Sequence, residues 1–238
     1  KSLNDEVFFL YKYLKGKNFS YEILVVVDGS PDNTAEVARN YALSIPNLRV
    51  IENKENHGKG YVVRQGLIES KGEYRIFLDA DGSTSITHWD LFAPEFQKGA
   101  DVVIGSRDLP ESYIQVHQPR HREIMGDMGN WLIRITLGLW RFPDTQCGFK
   151  ALSAEAAEAV ASRMVVDRFG FDFELITLAE RLGFTVRQLP VRWMNEEGST
   201  VGLTGKNGFT QVLIDRWKTR VRLWAGAYKL REGRKRSV

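Results

Sequence analysis

A single cysteine in 238 residues, Cys147, excludes an intramolecular disulfide and with it the small disulfide-stapled secreted scaffolds. The four histidines, His57, His88, His117 and His121, show no zinc-ligand spacing with that cysteine. No apolar run reaches the roughly 18 residues that a membrane-spanning helix needs, and neither a signal-peptide pattern nor an internal repeat is found. A reducing, cytoplasmic-side location fits this composition. Two common phosphate loops are also missing. There is no G-x-x-x-x-G-K-[ST] sequence, and Val63 stands where a dinucleotide fingerprint begun in His57-Gly58-Lys59-Gly60 needs its third glycine.

What is there is the composition of a folded α/β domain, 43% hydrophobic and 26% charged. The net charge of +3 hides an asymmetry. From Lys206 onward ten basic residues face only Asp215 and Glu232, whereas the first 205 residues carry 23 basic and 28 acidic groups. The tail is a separate electrostatic object whose partner should be anionic.

The most informative stretch is Gly72 to Ser83, GEYRIFLDADGS. Ile76, Phe77 and Leu78 read as the end of a strand buried on both faces, which sets Asp79 and Asp81 at its carboxyl edge, where open α/β sheets bind ligands. Two acids one residue apart can share a hard divalent cation with the oxygens of a diphosphate; an Asp-rich turn is the plain alternative. Upstream, Leu3, Val7, Leu10 and Leu14 have helical spacing, and Tyr21 to Val27 is an apolar strand ending in Asp28-Gly29. Asp32, Asn33 or Thr34 can cap the following helix, which leaves Asp28 free for a ribose hydroxyl or base NH. That helix stops before Pro46, and a short strand follows at Leu48 to Ile51. His57 to Gly60 then opens a helix where backbone NH groups and Lys59 could meet a phosphate.

Trp89 to Gln97 reads as a helix and Asp101 to Ile104 as a buried strand delivering Arg107. The alternation predicts a mostly parallel, doubly wound sheet with Asp28, Asp79, Asp81 and Arg107 along one edge. Arg120 and Arg122 lie in a segment of different character, before Trp131 to Phe142, an apolar stretch that suits either a buried helix or a bilayer interface. Asp144 to Lys150 is a polar loop, and Phe169 to Leu182 is a helix whose Asp172 and Glu174 could bind sugar hydroxyls or complement the helix dipole. Phe184 to Trp193 is a last strand. From Phe209 to Leu230, aromatic and aliphatic residues interleave with basic ones, as in an amphipathic helix on an anionic membrane surface. No nucleic-acid motif accompanies it, so nucleic acid is not an expected partner.

VVVDGSPDNT (25–34), HGKGYVVRQG (57–66), FLDADGST (77–84), IGSRD (104–108), DTQCGFK (144–150), FDFEL (171–175) and WMNEEGS (193–199) together make the chain resemble the family 2 glycosyltransferases of the GT-A fold. Within that family the likeness is to the polyprenyl-phosphate branch, and most to its dolichyl-phosphate β-glucosyl members. The motifs stand in family order over about 200 residues, which chance explains poorly.

The resemblance implies inverting transfer of a hexose, glucose from UDP-glucose, to a polyprenyl or dolichyl phosphate, with Mg²⁺ or Mn²⁺ on Asp79 and Asp81. It implies nucleotide-sugar contacts from Asp28, Gly29, Lys59, Asp79 and Gln146, acceptor-phosphate contacts from Arg107, Arg120 and Arg122, and catalytic parts for Asp81, Arg107 and Asp172. It also implies a peripheral protein on the cytoplasmic face of a membrane. Residues 1–205 form the transferase domain, with 110–142 as an acceptor and interface insertion, and 206–238 form a basic amphipathic tail.

The sequence departs from the family pattern in places. It begins after the strand that normally opens the domain, so that strand and part of the base pocket are expected to be missing from these residues. Val27 replaces an acid, Asp127 falls where mannosyl relatives carry arginine, and Thr200 replaces a frequent lysine. The alternatives are a mannosyl or other family 2 enzyme with a soluble acceptor, and a silent nucleotide-sugar-binding module.

Overall fold

Among the described residues, apolar runs of strand length alternating with helix-period segments build two main sheets that share one flanking helix, and a third, two-stranded ribbon. The computed structural model describes residues 3–114, 131–194 and 209–226. Helix α1 (Leu3–Lys15) turns Val7 and Leu14 into a cluster with Ile23, Ile45 and Leu48. Strand β1 (Ile23–Asp28) pairs in parallel with β2 (Leu48–Asn53) across α2 (Thr34–Ser44). Asp32 accepts from the Thr34 backbone NH at 2.9 Å, so the start of α2 is held without Asp28. Helix α3 (Lys59–Glu69) then packs against both β1 and β3 (Tyr74–Phe77).

The second sheet has the order β3, β6 (Lys150–Ser153), β4 (Val102–Ser106), β7 (Val186–Pro190). Helix α4 (Trp89–Gln97) precedes β4, whose five residues are all buried. Strand β4 pairs in parallel with β7, while β6 runs antiparallel between β3 and β4. Because β3 and β4 both oppose β6, they run the same way and end at the same edge. The expected parallel α/β arrangement therefore carries one reversed strand. The sequence reading ends a polar loop at Lys150, the residue that opens β6, and assigns no strand to 151–153. Strand β3 is also not buried on both faces: it lies at the sheet's end, and Tyr74 is 39% exposed.

The predicted last strand divides at Val191. Strand β7 stays in the sheet, and β8 (Arg192–Trp193) pairs with β5 (Tyr113–Ile114) in a small parallel ribbon. There Met194 N donates to Ser83 O at 3.0 Å, tying the segment after the two aspartates to β8. His88 accepts the Arg192 NH on Nε2 at 2.9 Å, so its Nδ1 carries the proton and donates to Ser85 O. His88 is a structural residue of that ribbon.

Helix α5, helical over 131–137 among the described residues, buries one face of the apolar stretch and exposes the other. Ile133 and Leu137 enter the main core, whereas Trp131 and Ile135 face outward, with Trp140 exposed just beyond. Helix α6 (Ala154–Ala161), not anticipated from the sequence, and α7 (Phe171–Arg181) cover the sheet. Helix α8 (Phe209–Trp224) is shorter than the predicted span and packs on α7. Among the described residues no helix is long and apolar enough to cross a membrane.

Candidate active site

The ends of β1, β3 and β4 bring charged groups to one region through a chain of short contacts. Asp28 closes β1, and Gly29 follows with φ of 59°, where a Cβ would meet the Glu55 carbonyl carbon at 2.4 Å. Glycine is therefore required for the two loops to touch. Asp28 is not free, contrary to expectation. Its carboxylate accepts the backbone NH groups of His57 at 2.9 Å and Gly58 at 2.7 Å, and Asn56 Nδ2 reaches its carbonyl at 3.0 Å. Those two NH groups, expected to face a phosphate, hold the turn instead. The His57 ring stacks on Tyr61 with centroids 4.3 Å apart.

This clamp fixes the start of α3 and aims Lys59 across to β3. Lys59 Nζ lies 2.6 Å from Asp79 Oδ1. Burial pushes the ammonium pKa down, but Asp79, Asp172 and Asp81 outweigh it and hold it above the ordinary lysine value. Asp79 and Asp81 sit just past β3 as predicted. Asp81 is exposed and takes the Ser83 NH at 2.8 Å in a tight turn. Asp79 is backed by Gly148, where a Cβ would lie 2.2 Å from Asp79 Oδ2. Only glycine lets that loop approach so closely.

Asp172, at the start of α7, is 4% exposed and joined to the fully buried Lys150, which also donates to Cys147 O at 2.6 Å. Burial pushes the Asp172 carboxyl up, against the pull of Lys150 and Lys59. Glu174, two residues along, accepts the Val165 and Val166 NH groups and holds the loop that packs on Gly60.

At the end of β4, Arg107 forms a two-pronged pair with Asp144: Nε to Oδ2 at 2.7 Å and Nη2 to Oδ1 at 2.9 Å. The guanidinium also lies 5.5 Å from the Trp193 ring. Burial opposes the charge on Asp144, but Arg107 outweighs it and holds the carboxyl below the usual range. Gln146 meets this pair through its backbone NH, 3.0 Å from Asp144 Oδ1. Burial pushes the Cys147 thiol up to about 11. Arg120 and Arg122 lie outside the described residues, as do Glu197, Gly198 and Ser199.

Within DTQCGFK the resemblance implies a part only for Gln146. The structure gives each charged residue of that loop a partner: Asp144 for Arg107, Lys150 for Asp172. The signal was the placing of two charges and a glycine immediately before a short apolar strand.

Among the described residues no group of three or more His, Cys, Asp or Glu is arranged to hold a metal. Asp79 and the exposed Asp81, two positions apart just past β3, are nevertheless of the donor type that suits a Mg²⁺-like ion, which would take its remaining ligands from substrate phosphates and water.

Comparison with known proteins agrees with this architecture. Residues 10–161 match the family model described as glycosyl transferase family 2. A dolichyl-phosphate beta-glucosyltransferase of Trichomonas vaginalis is 35% identical over 196 residues, covering 80% of this chain and 60% of that protein. One from Dictyostelium discoideum is 32% identical over 237 residues, covering 96% and 72%. The chain thus spans between about three-fifths and three-quarters of the length of these two relatives.

Among solved structures, mannosyl-3-phosphoglycerate synthase of Rubrobacter xylanophilus superposes over all of this chain and 74% of its own, with a TM-score of 0.62 at 16% identity. Glucosyl-3-phosphoglycerate synthase of Mycobacterium tuberculosis, solved with Mn²⁺, UDP-glucose and phosphoglyceric acid, gives 0.55 at 17% identity, over 83% and 68%. These distant structures share the GT-A-like α/β fold. With the matched family model covering more than half of its residues, the chain belongs to glycosyl transferase family 2.

Proposed function

We propose that the protein transfers glucose from UDP-glucose to dolichyl phosphate or a related polyprenyl phosphate, with inversion at the anomeric carbon and with Mg²⁺ or Mn²⁺. The observation that carries this reading is the pair Asp79 and Asp81 just past the end of β3, with Lys59 2.6 Å from Asp79. Two carboxylates and an ammonium at a strand's carboxyl edge suit a metal-bound diphosphate. The dolichyl-phosphate glucosyltransferases among the relatives support the acceptor and the sugar, and the UDP-glucose and Mn²⁺ of the mycobacterial structure support the donor and the metal.

In this reading Asp28 and Gly29 frame the nucleoside, and Lys59, Asp79 and Gln146 line the donor. Asp79 and Asp81 would hold the metal, which when bound stabilises charge on the departing diphosphate. The acceptor is a phosphomonoester, largely ionised at neutral pH because its second pKa is about 6. Its oxygen attacks the anomeric carbon as the bond to the diphosphate breaks, and UDP leaves; no general base is needed. Asp172, nearly buried and joined to Lys150, then serves as a support for the cations of the site. Two nitrogens of Arg107 are held by Asp144, so its part is to brace the site's wall, and Arg120 and Arg122 remain the proposed acceptor-phosphate contacts.

Docking from the cytoplasmic face onto an anionic membrane surface completes the proposal, with residues 1–205 as the transferase domain and 206–238 as the docking tail. Helix α8 supports it. It turns Asp215 and Thr219 inward and leaves Ile214, Trp217, Val221 and Trp224 exposed. Leu223 of α8 packs on the same core cluster as Ile133 and Leu137 of α5, whose Trp131 is also exposed.

The test is UDP release from UDP-glucose with Mg²⁺ or Mn²⁺, with and without a polyprenyl phosphate in detergent. Release that needs both metal and lipid phosphate is expected. Release with a soluble acceptor alone, or from GDP-mannose in preference, would overturn the acceptor or the sugar respectively. UDP binding without turnover on any donor would indicate a silent binding module.

A further inference from the structure

We propose that Lys59 is a resident counter-cation for Asp79 that yields to the incoming metal and moves onto the donor's diphosphate, so that metal and donor bind together and not separately. This rests on the reading of Asp79 and Asp81 as a metal-holding pair.

The geometry leaves only the side chain of Lys59 free to respond and crowds Asp79 from behind. The backbone around Lys59 is fixed: the NH groups of His57 and Gly58 are held by Asp28, and Tyr61 N donates to Asp167 O at 3.1 Å. Only the flexible four-carbon stem of the lysine can respond. Phe169 and Phe171 flank its ammonium, with ring centroids at 6.0 and 5.9 Å. Asp79 cannot withdraw from the site, because Gly148 already approaches it as closely as a residue without a side chain can.

A divalent cation and an ammonium cannot both sit in contact with Asp79 Oδ1, since like charges at that range repel strongly in a partly buried site. Metal arriving alone must therefore displace Lys59 from its partner at 2.6 Å and leave the ammonium only Asp172, which is already joined to Lys150, and Asp81, which the metal also takes. Metal arriving with a diphosphate brings that anion with it. The same lysine thus weakens binding of the bare metal and strengthens binding of the pair. By linkage the donor must tighten the metal as much as the metal tightens the donor.

The experiment measures Mn²⁺ binding by electron paramagnetic resonance, with and without UDP, for the wild-type chain, Lys59→Gln and Lys59→Arg, with thermal denaturation as the check on folding. Without UDP, Lys59→Gln is expected to bind Mn²⁺ at least about fivefold more tightly than the wild type, the lower end of ordinary coupling. UDP should tighten Mn²⁺ binding in the wild type by at least a similar factor, and by clearly less in Lys59→Gln. Lys59→Arg, which keeps the charge, should retain the wild-type pattern. Equal Mn²⁺ affinity of the wild type and Lys59→Gln without UDP would overturn the proposal. If Lys59→Gln does not fold, independent binding of Mn²⁺ and UDP to the wild type would overturn it as well. Failure of every protein to take up Mn²⁺ even with UDP would remove the metal reading itself, and this proposal with it.

Discussion

Arg107 and Asp144, 37 residues apart in sequence, meet in three hydrogen bonds, two from the guanidinium and one from the Arg107 backbone NH at 3.0 Å. The contact welds the end of β4 to the loop that carries Gln146, Gly148 and Lys150. Asp144 is almost wholly buried, so removing its charge leaves a shielded guanidinium without its partner. Asp144→Asn is expected to lower unfolding stability by about 3–5 kcal/mol in a denaturant titration. The sign of the pH dependence follows from the depressed Asp144 pKa. The unfolded carboxyl titrates near pH 3.9, so this stability is fully present above that value and is lost as pH falls through the lower folded value. The gap between wild type and variant should therefore be constant from neutral pH down to roughly pH 5 and narrow only in stronger acid. A gap that narrows already near pH 6 would mean that another group carries the effect.

Gly148→Ala tests the close approach at Asp79. The added Cβ would lie 2.2 Å from Asp79 Oδ2, so the carboxylate or the loop must shift. The expected cost in stability is about 1–3 kcal/mol, as for overpacking elsewhere. Mn²⁺-dependent UDP affinity should fall further than stability accounts for, measured under conditions where the variant is folded. Unchanged UDP affinity would show that the position of Asp79 does not matter to the donor.

How much of this was legible in sequence depended on how local each signal was. Strands β1, β2 and β4 announced themselves because each apolar run ends in a polar turn, and the acids after β1 and β3 stand where the reading put them. Strand β6 did not. It opens on Lys150, and a lysine argues against a buried strand unless a partner is known. That partner, Asp172, lies 22 residues on. The freedom assigned to Asp28 failed for the same reason, since the backbone that occupies it arrives 29 and 30 residues later. For α8 the periodicity shows two faces without showing which one the body covers; the covered face carries Asp215 and Thr219 beside the half-buried Leu223, and the exposed one carries the tryptophans.

The Lys150–Asp172 pair makes a prediction that only a double variant can check. Lys150→Met leaves a buried carboxylate without its ammonium, a loss of about 3–5 kcal/mol. Asp172→Asn combined with Lys150→Met removes both charges and should be markedly less harmful than Lys150→Met alone, measured by denaturant unfolding. Additive losses would show that the two side chains do not depend on one another.

The exposed stripe of α8 separates docking from chemistry. Trp217 and Trp224 are 57% and 66% exposed and pack edge to face, with centroids 6.2 Å apart. Both side chains point to solvent. Trp217→Ala with Trp224→Ala should therefore leave stability within about 0.5 kcal/mol, as for ordinary surface substitutions. UDP affinity in solution should also hold. Binding to vesicles containing phosphatidylserine should fall sharply in flotation, because tryptophan side chains anchor at the headgroup level. Salt should weaken the wild-type interaction as well, since Lys218, Arg220 and Arg222 flank the stripe and each basic residue near an anionic surface contributes about 1 kcal/mol. Flotation that survives both substitutions and high salt would move the docking surface away from α8, and Trp131 and Trp140 would be the next pair to replace.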